Sequence, residues 1–73
     1  MTMKKQGYYK YKLWCWTYLT GGDYREWNRT IYRKNPLTDK QKENLSGNFA
    51  DRICWRIGKN IMLWGCKEEG IVE

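Results

Sequence analysis

YYKYKLWCWTYLTGGDYREWNRTIYRK, residues 8–34, is the stretch whose reading decides the fold. From Tyr8 to Thr20 it is built of aromatic and β-branched types, which fit a pleated surface, and Tyr24 to Lys34 resumes the same composition. Gly21-Gly22 between them supplies the backbone freedom of a tight turn, so the stretch reads as one long β-hairpin. Asn35-Pro36 ends it, because proline donates nothing to a ladder and pushes the residue before it away from helix.

Working outward, Thr38-Asp39-Lys40-Gln41 has the form of a capping box and predicts a helix start. Leu45, Phe49, Ile53 and Ile57 recur every four residues, with Ala50 and Cys54 widening the same stripe, so a helix over 38–57 is expected, ended by Gly58. Ser46-Gly47 is its weak point, since glycine costs about 1 kcal/mol against alanine and is able to split the segment in two. Ile61–Cys66 follows as a short strand, and residues 1–7 and 67–73 are expected to be frayed tails. A competing reading pairs Arg52–Ile57 with Ile61–Cys66 as a second hairpin about Gly58-Lys59-Asn60.

The first reading gives ββαβ, an α+β fold. A right-handed crossover through the helix then sets the last strand beside the first, in a three-stranded antiparallel sheet of order 2-1-3 with the helix on one face. The chain is long enough for a single small domain over 1–73, with one core and no room for a second.

Charge narrows the function classes. The formal +6 falls entirely in residues 1–34, where eight lysines and arginines meet only Asp23 and Glu26; residues 35–73 carry six of each sign. Nine of the twelve aromatic residues lie in the same first half, and this coincidence points to an anionic partner. There is no histidine, and the acidic residues are scattered apart from Glu68-Glu69, so the chemistry of most enzymes is missing and a binding protein without catalytic residues is expected. Cys15, Cys54 and Cys66 are an odd set without C-x-x-C spacing, which fits small buried hydrophobes and neither a disulfide framework nor a zinc site; no cofactor or metal is implied. The longest apolar run, Leu13–Leu19, is far short of the roughly 20 residues that cross a bilayer. With no secretory signal visible, a cytoplasmic protein without a membrane partner is expected.

With the turn centred between Gly21 and Gly22, as in two-residue and four-residue loops, the strand faces can be written out. One face pairs Tyr11 with Tyr32, Leu13 with Thr30, Cys15 with Asn28, Thr17 with Glu26 and Leu19 with Tyr24. The other pairs Lys10 with Arg33, Lys12 with Ile31, Trp14 with Arg29, Trp16 with Trp27 and Tyr18 with Arg25. This second face collects the candidate binding residues Lys10, Lys12, Trp14, Trp16, Tyr18, Arg25, Trp27, Arg29 and Arg33. Cations beside indole rings attract phosphates while offering flat surfaces to unstacked bases, which suits single-stranded DNA or RNA.

An equally simple alternative buries the same rings. The helix stripe needs an apolar sheet face, and Trp14, Trp16, Trp27 and Ile31 would supply one, with Arg25, Arg29, Arg33, Lys10 and Lys12 reaching past them to a basic rim. Which side of the hairpin the helix covers decides between the two. Trp55 lies off the stripe and either packs at a sheet edge or stands exposed as a contact anchor. Lys4-Lys5 reads as a solvated tail, and Gly21-Gly22 as a turn rather than a phosphate loop.

Two functions follow. The first is a small basic nucleic-acid-binding protein working through the hairpin, of phage or mobile-element type. The second is a phage-type inhibitor or adaptor, anti-CRISPR-like for example, that binds a host nucleic-acid-processing protein through an acidic patch. Attachment to an anionic membrane is weaker, because the helix has no lysine-rich polar face.

Overall fold

The structure, a computed structural model, describes residues 6–73. Two ten-residue strands, β1 (Tyr9–Tyr18) and β2 (Tyr24–Arg33), are followed by one helix, α1 (Asp39–Ile57), and by β3 (Leu63–Ile71). The sheet is antiparallel in order β2-β1-β3, so the expected α+β arrangement of ββαβ with order 2-1-3 and one helix is the observed one.

The helix begins as its sequence dictates. Thr38 Oγ1 accepts the Gln41 amide at 3.2 Å while Gln41 Oε1 accepts the Thr38 amide at 2.9 Å, which satisfies two of the amides a first turn leaves free. Gly58, at φ 71°, takes the left-handed conformation that ends the helix, and its amide donates to the Cys54 carbonyl at 2.8 Å. Gly47 does not split α1, which runs unbroken through it; burial of Ser46, Ala50 and Ile53 against the sheet outweighs the propensity cost of one glycine. The competing hairpin over 52–66 is thereby replaced by helix.

The core is compact and sits on one side of β1. Tyr11, Leu13, Cys15 and Thr17 alternate inward and are buried, against Ala50, Ile53 and Ser46 of the helix. The polar tips of the outer two are both used. The Tyr11 hydroxyl accepts the Leu37 amide at 2.9 Å, holding the connection from β2 to α1. Thr17 Oγ1 donates to the Asn60 carbonyl at 2.7 Å, holding the connection from α1 to β3. Both ends of the helix are therefore tied to the same face of the central strand.

Two features depart from the sequence reading. The hairpin turn is centred on Gly21 rather than between the two glycines: the Leu19 amide donates to the Asp23 carbonyl around a three-residue loop, with Gly21 and Gly22 at φ 90° and 87°. The pairs accordingly run from Tyr9 opposite Arg33 to Tyr18 opposite Tyr24. Next, β3 continues to Ile71 instead of stopping at Cys66, so Lys67–Ile71 is strand and not frayed tail; Gly7 and Val72 extend the pairing, with Gly7 N–H donating to the Val72 carbonyl and Val72 N–H to that of Tyr8. A bulge between Tyr9 and Tyr11 absorbs the extra residue of β3, and Gly70 nearby has φ 95°. Lys4-Lys5 and the rest of 1–5 lie outside the described residues. Of the two readings of Trp55, the exposed one is observed: it stands 89% exposed on α1.

The register is open to a direct check. In a nuclear Overhauser spectrum, short Hα–Hα contacts are expected between Trp14 and Asn28 and between Trp16 and Glu26, which oppose each other. Short Hα–Hα contacts from Cys15 to Asn28 and from Leu13 to Thr30 would instead indicate the two-residue turn.

Candidate nucleic-acid interface

Shifting a strand by one residue moves all its side chains to the other face. The register centred on Gly21 therefore divides the nine candidate residues. Lys10, Lys12, Trp14, Trp16 and Tyr18 project from β1 opposite Tyr32, Thr30, Asn28, Glu26 and Tyr24, on the side away from the buried Tyr11, Leu13, Cys15 and Thr17. Arg25, Trp27, Arg29 and Arg33 share the other side with those buried residues, because they pair with Thr17, Cys15, Leu13 and Tyr9. The single aromatic and arginine face expected from the sequence is thus two surfaces, lysine-bearing on one side and arginine-bearing on the other.

The alternative with all the indoles under the helix is corrected as well. Trp27 packs against the core cluster of Cys15, Ala50 and Ile53, and Ile31 lines a groove beside α1. Trp14 and Trp16 remain on the uncovered face.

On that face the rings are held in place by their neighbours. Trp16 and Tyr18 meet edge to face, with centroids 5.2 Å apart and planes at 86°. Trp14 lies across β3 at Gly65, its partner in the ladder; a Cβ on that glycine would stand 2.6 Å from the indole, so only glycine lets the ring lie down there. Tyr18 and Tyr24 are 55% and 70% exposed, so their ring surfaces are available. A shallow depression of about 370 Å³ is lined by Lys12, Trp14, Trp16, Tyr24, Glu26 and Lys67, and it adjoins a second of about 230 Å³ between Trp16, Tyr18 and Tyr24.

Tyr24 and Lys67 belong to this surface but were missed in the sequence. A turn centred between the two glycines sets Tyr24 on the opposite face, and the composition of 67–73 reads as a tail. The strand continuation in β3 had only weak signals, because Lys67-Glu68-Glu69-Gly70 are residue types depleted in strands. Lys12 and Lys67 are directly opposed across β1 and β3, an arrangement of like charges that weakens a sheet unless an anion offsets it. Neither lysine is ion-paired, since the ion pair among the described residues joins Lys42 to Glu68 at 2.6 Å. That contact raises the Lys42 ammonium above its ordinary range, chiefly through the hydrogen bond.

Neither Cys15 nor Cys66 carries an activated thiol. Burial, and secondarily the Glu26 charge, pushes the Cys15 thiol up, and burial does the same for Cys66, so at neutral pH both are protonated rather than nucleophilic. All three cysteines are free. Compared with known proteins, the chain matches no family model, no curated protein and no solved structure. No helix among the described residues is long and apolar enough to cross a membrane.

Two measurements follow from the geometry. Gly65→Ala is expected to destabilise the protein by about 1–3 kcal/mol in denaturant titration, and pairing it with Trp14→Ala should recover part of that loss, since the clash is with that ring. Cys15, fully buried, should resist alkylation until the protein unfolds, while modification at the native rate of an exposed thiol would contradict the packing of β1 under α1.

Proposed function

We propose that the protein binds single-stranded nucleic acid across the open face of the sheet, as a non-enzymatic, cytoplasmic binding protein. The observation that carries this reading is the opposed pair Lys12 and Lys67 at the edge of an aromatic surface formed by Trp14, Trp16, Tyr18 and Tyr24. Phosphates of a passing strand would relieve the lysine repulsion, with Lys10 adding a third charge further along β1. Bases would stack on the rings, each stack contributing about 1–3 kcal/mol irrespective of sequence. Stacking platforms of this kind need bases that are already unpaired, which favours single strands over duplex. Glu26 sits in the same depression with the opposite sign and would weaken phosphate binding there.

Fluorescence anisotropy with a labelled mixed-sequence oligonucleotide tests this. Trp16→Ala should weaken binding by about 1–3 kcal/mol, and Lys12→Ala or Lys67→Ala should reduce the slope of log affinity against log salt by about 1. Glu26→Gln should tighten binding. Failure to retain either DNA or RNA at low salt would overturn the proposal.

A further inference from the structure

The arginines that left the open face form a surface of their own. Since α1 lies over β1 and β3, β2 overhangs as the outer strand of the sheet. Its helix-side face reads Arg25, Trp27, Arg29, Ile31, Arg33, with arginine at every fourth residue, or about 13 Å apart along the strand. Trp27 is held at 5.5 Å beneath the Arg25 guanidinium. Between this face and the helix runs a groove of about 300 Å³. Leu13, Ile31, Leu45 and Phe49 line it with apolar surface, Arg29 and Arg33 flank it from the strand, and Arg52 flanks it from the helix. Among the described residues none of the three arginines is ion-paired, and Arg33 Nη1 donates to the adjacent Tyr32 carbonyl at 2.9 Å.

The backbone of β2 adds a second recognition element. The bond from the Leu19 amide to the Asp23 carbonyl sets the alternation of the ladder, so Glu26, Asn28 and Thr30 direct their N–H and C=O groups off the free edge. Among the described residues no strand pairs with this edge, and an edge next to an apolar groove is the arrangement used for strand addition, in which backbone bonds give affinity and alternate side chains give specificity.

We propose that the edge of β2 and the groove behind it bind an extended acidic segment of a partner protein as a fourth strand. Its residues facing the groove would alternate acidic and aliphatic, carboxylates meeting Arg25, Arg29 and Arg33 and aliphatic side chains meeting Trp27 and Ile31. Charge selects this occupant. A second copy pairing through its own β2 would set arginines opposite or diagonal to arginines, which is costly across a strand pair. Nucleic acid would satisfy the guanidinium groups, but its repeating phosphates do not match the alternating donors and acceptors of a strand edge as another strand does. The proposal stands apart from the reading of the open face, because it uses the opposite side of the sheet and shares no side chain with it.

The test is titration of the full chain with the blocked peptide Glu-Thr-Leu-Thr-Glu-Thr-Leu-Thr-Glu, followed by calorimetry and by amide chemical shifts. Saturable binding at low salt is expected, with the largest shifts at Glu26, Asn28 and Thr30. Arg29→Glu and Arg33→Glu should each weaken it about tenfold or more, as loss of a charge-assisted contact does. Trp16→Ala should leave it unchanged, and Arg29→Gln, checked for native circular dichroism, guards against a folding defect. Absence of binding, indifference to Arg29→Glu, or shifts confined to the open face would overturn the proposal. So would displacement of the peptide from β2 by a single-stranded oligonucleotide, which would make nucleic acid the occupant. Concentration-dependent shifts of the same amides without peptide would make it a second copy.

Discussion

Tyr11 and Thr17 fasten the two connections of α1 to one side of β1, and the rest of the molecule is arranged by that constraint. Each is a buried residue with a polar tip that a helix-covered sheet cannot leave unsatisfied, and each tip meets a backbone group of a linker. Between them Leu13 and Cys15 complete the buried side of β1, and Cys15 shares a core cluster with Ala50 and Ile53 of the helix. With the helix fixed there, the larger rings of Trp14 and Trp16 have only the outside of the sheet to occupy.

This explains a distribution of side chains that is unusual for so small a chain. Most domains put their tryptophans in the core, because indoles supply the most apolar area. Here the core is made of one tyrosine, two aliphatic residues, a thiol and small side chains, and two indoles are spread over a sheet surface where Gly65 makes room for one of them. Both indoles are half-buried there, so they add apolar area to the sheet as well as ring surface to its open side.

Much of the fold was legible from residues 8–58. The hairpin came from composition and paired glycines, the helix from its capping box, four-residue stripe and terminal glycine, and the strand order from the crossover. β3 beyond Cys66 was not, because lysine, two glutamates and glycine read as solvated tail, and only pairing with β1 makes them strand. The candidate site was half legible. Its β1 members follow from alternation alone, but the β2 members depend on loop length, and two adjacent glycines are compatible with a loop of either parity. Nothing in the composition of β2 distinguishes its faces strongly, since each carries both polar and large residues.

The parity of that loop has an evolutionary reading. Substitutions in β2 can only strengthen or weaken a surface that already exists, whereas insertion or deletion of one loop residue would transfer Arg25, Arg29 and Arg33 bodily from one side of the sheet to the other. Indels at Thr20-Gly21-Gly22, usually the most tolerated changes in a hairpin, would here redistribute the whole cationic complement between two surfaces in one step.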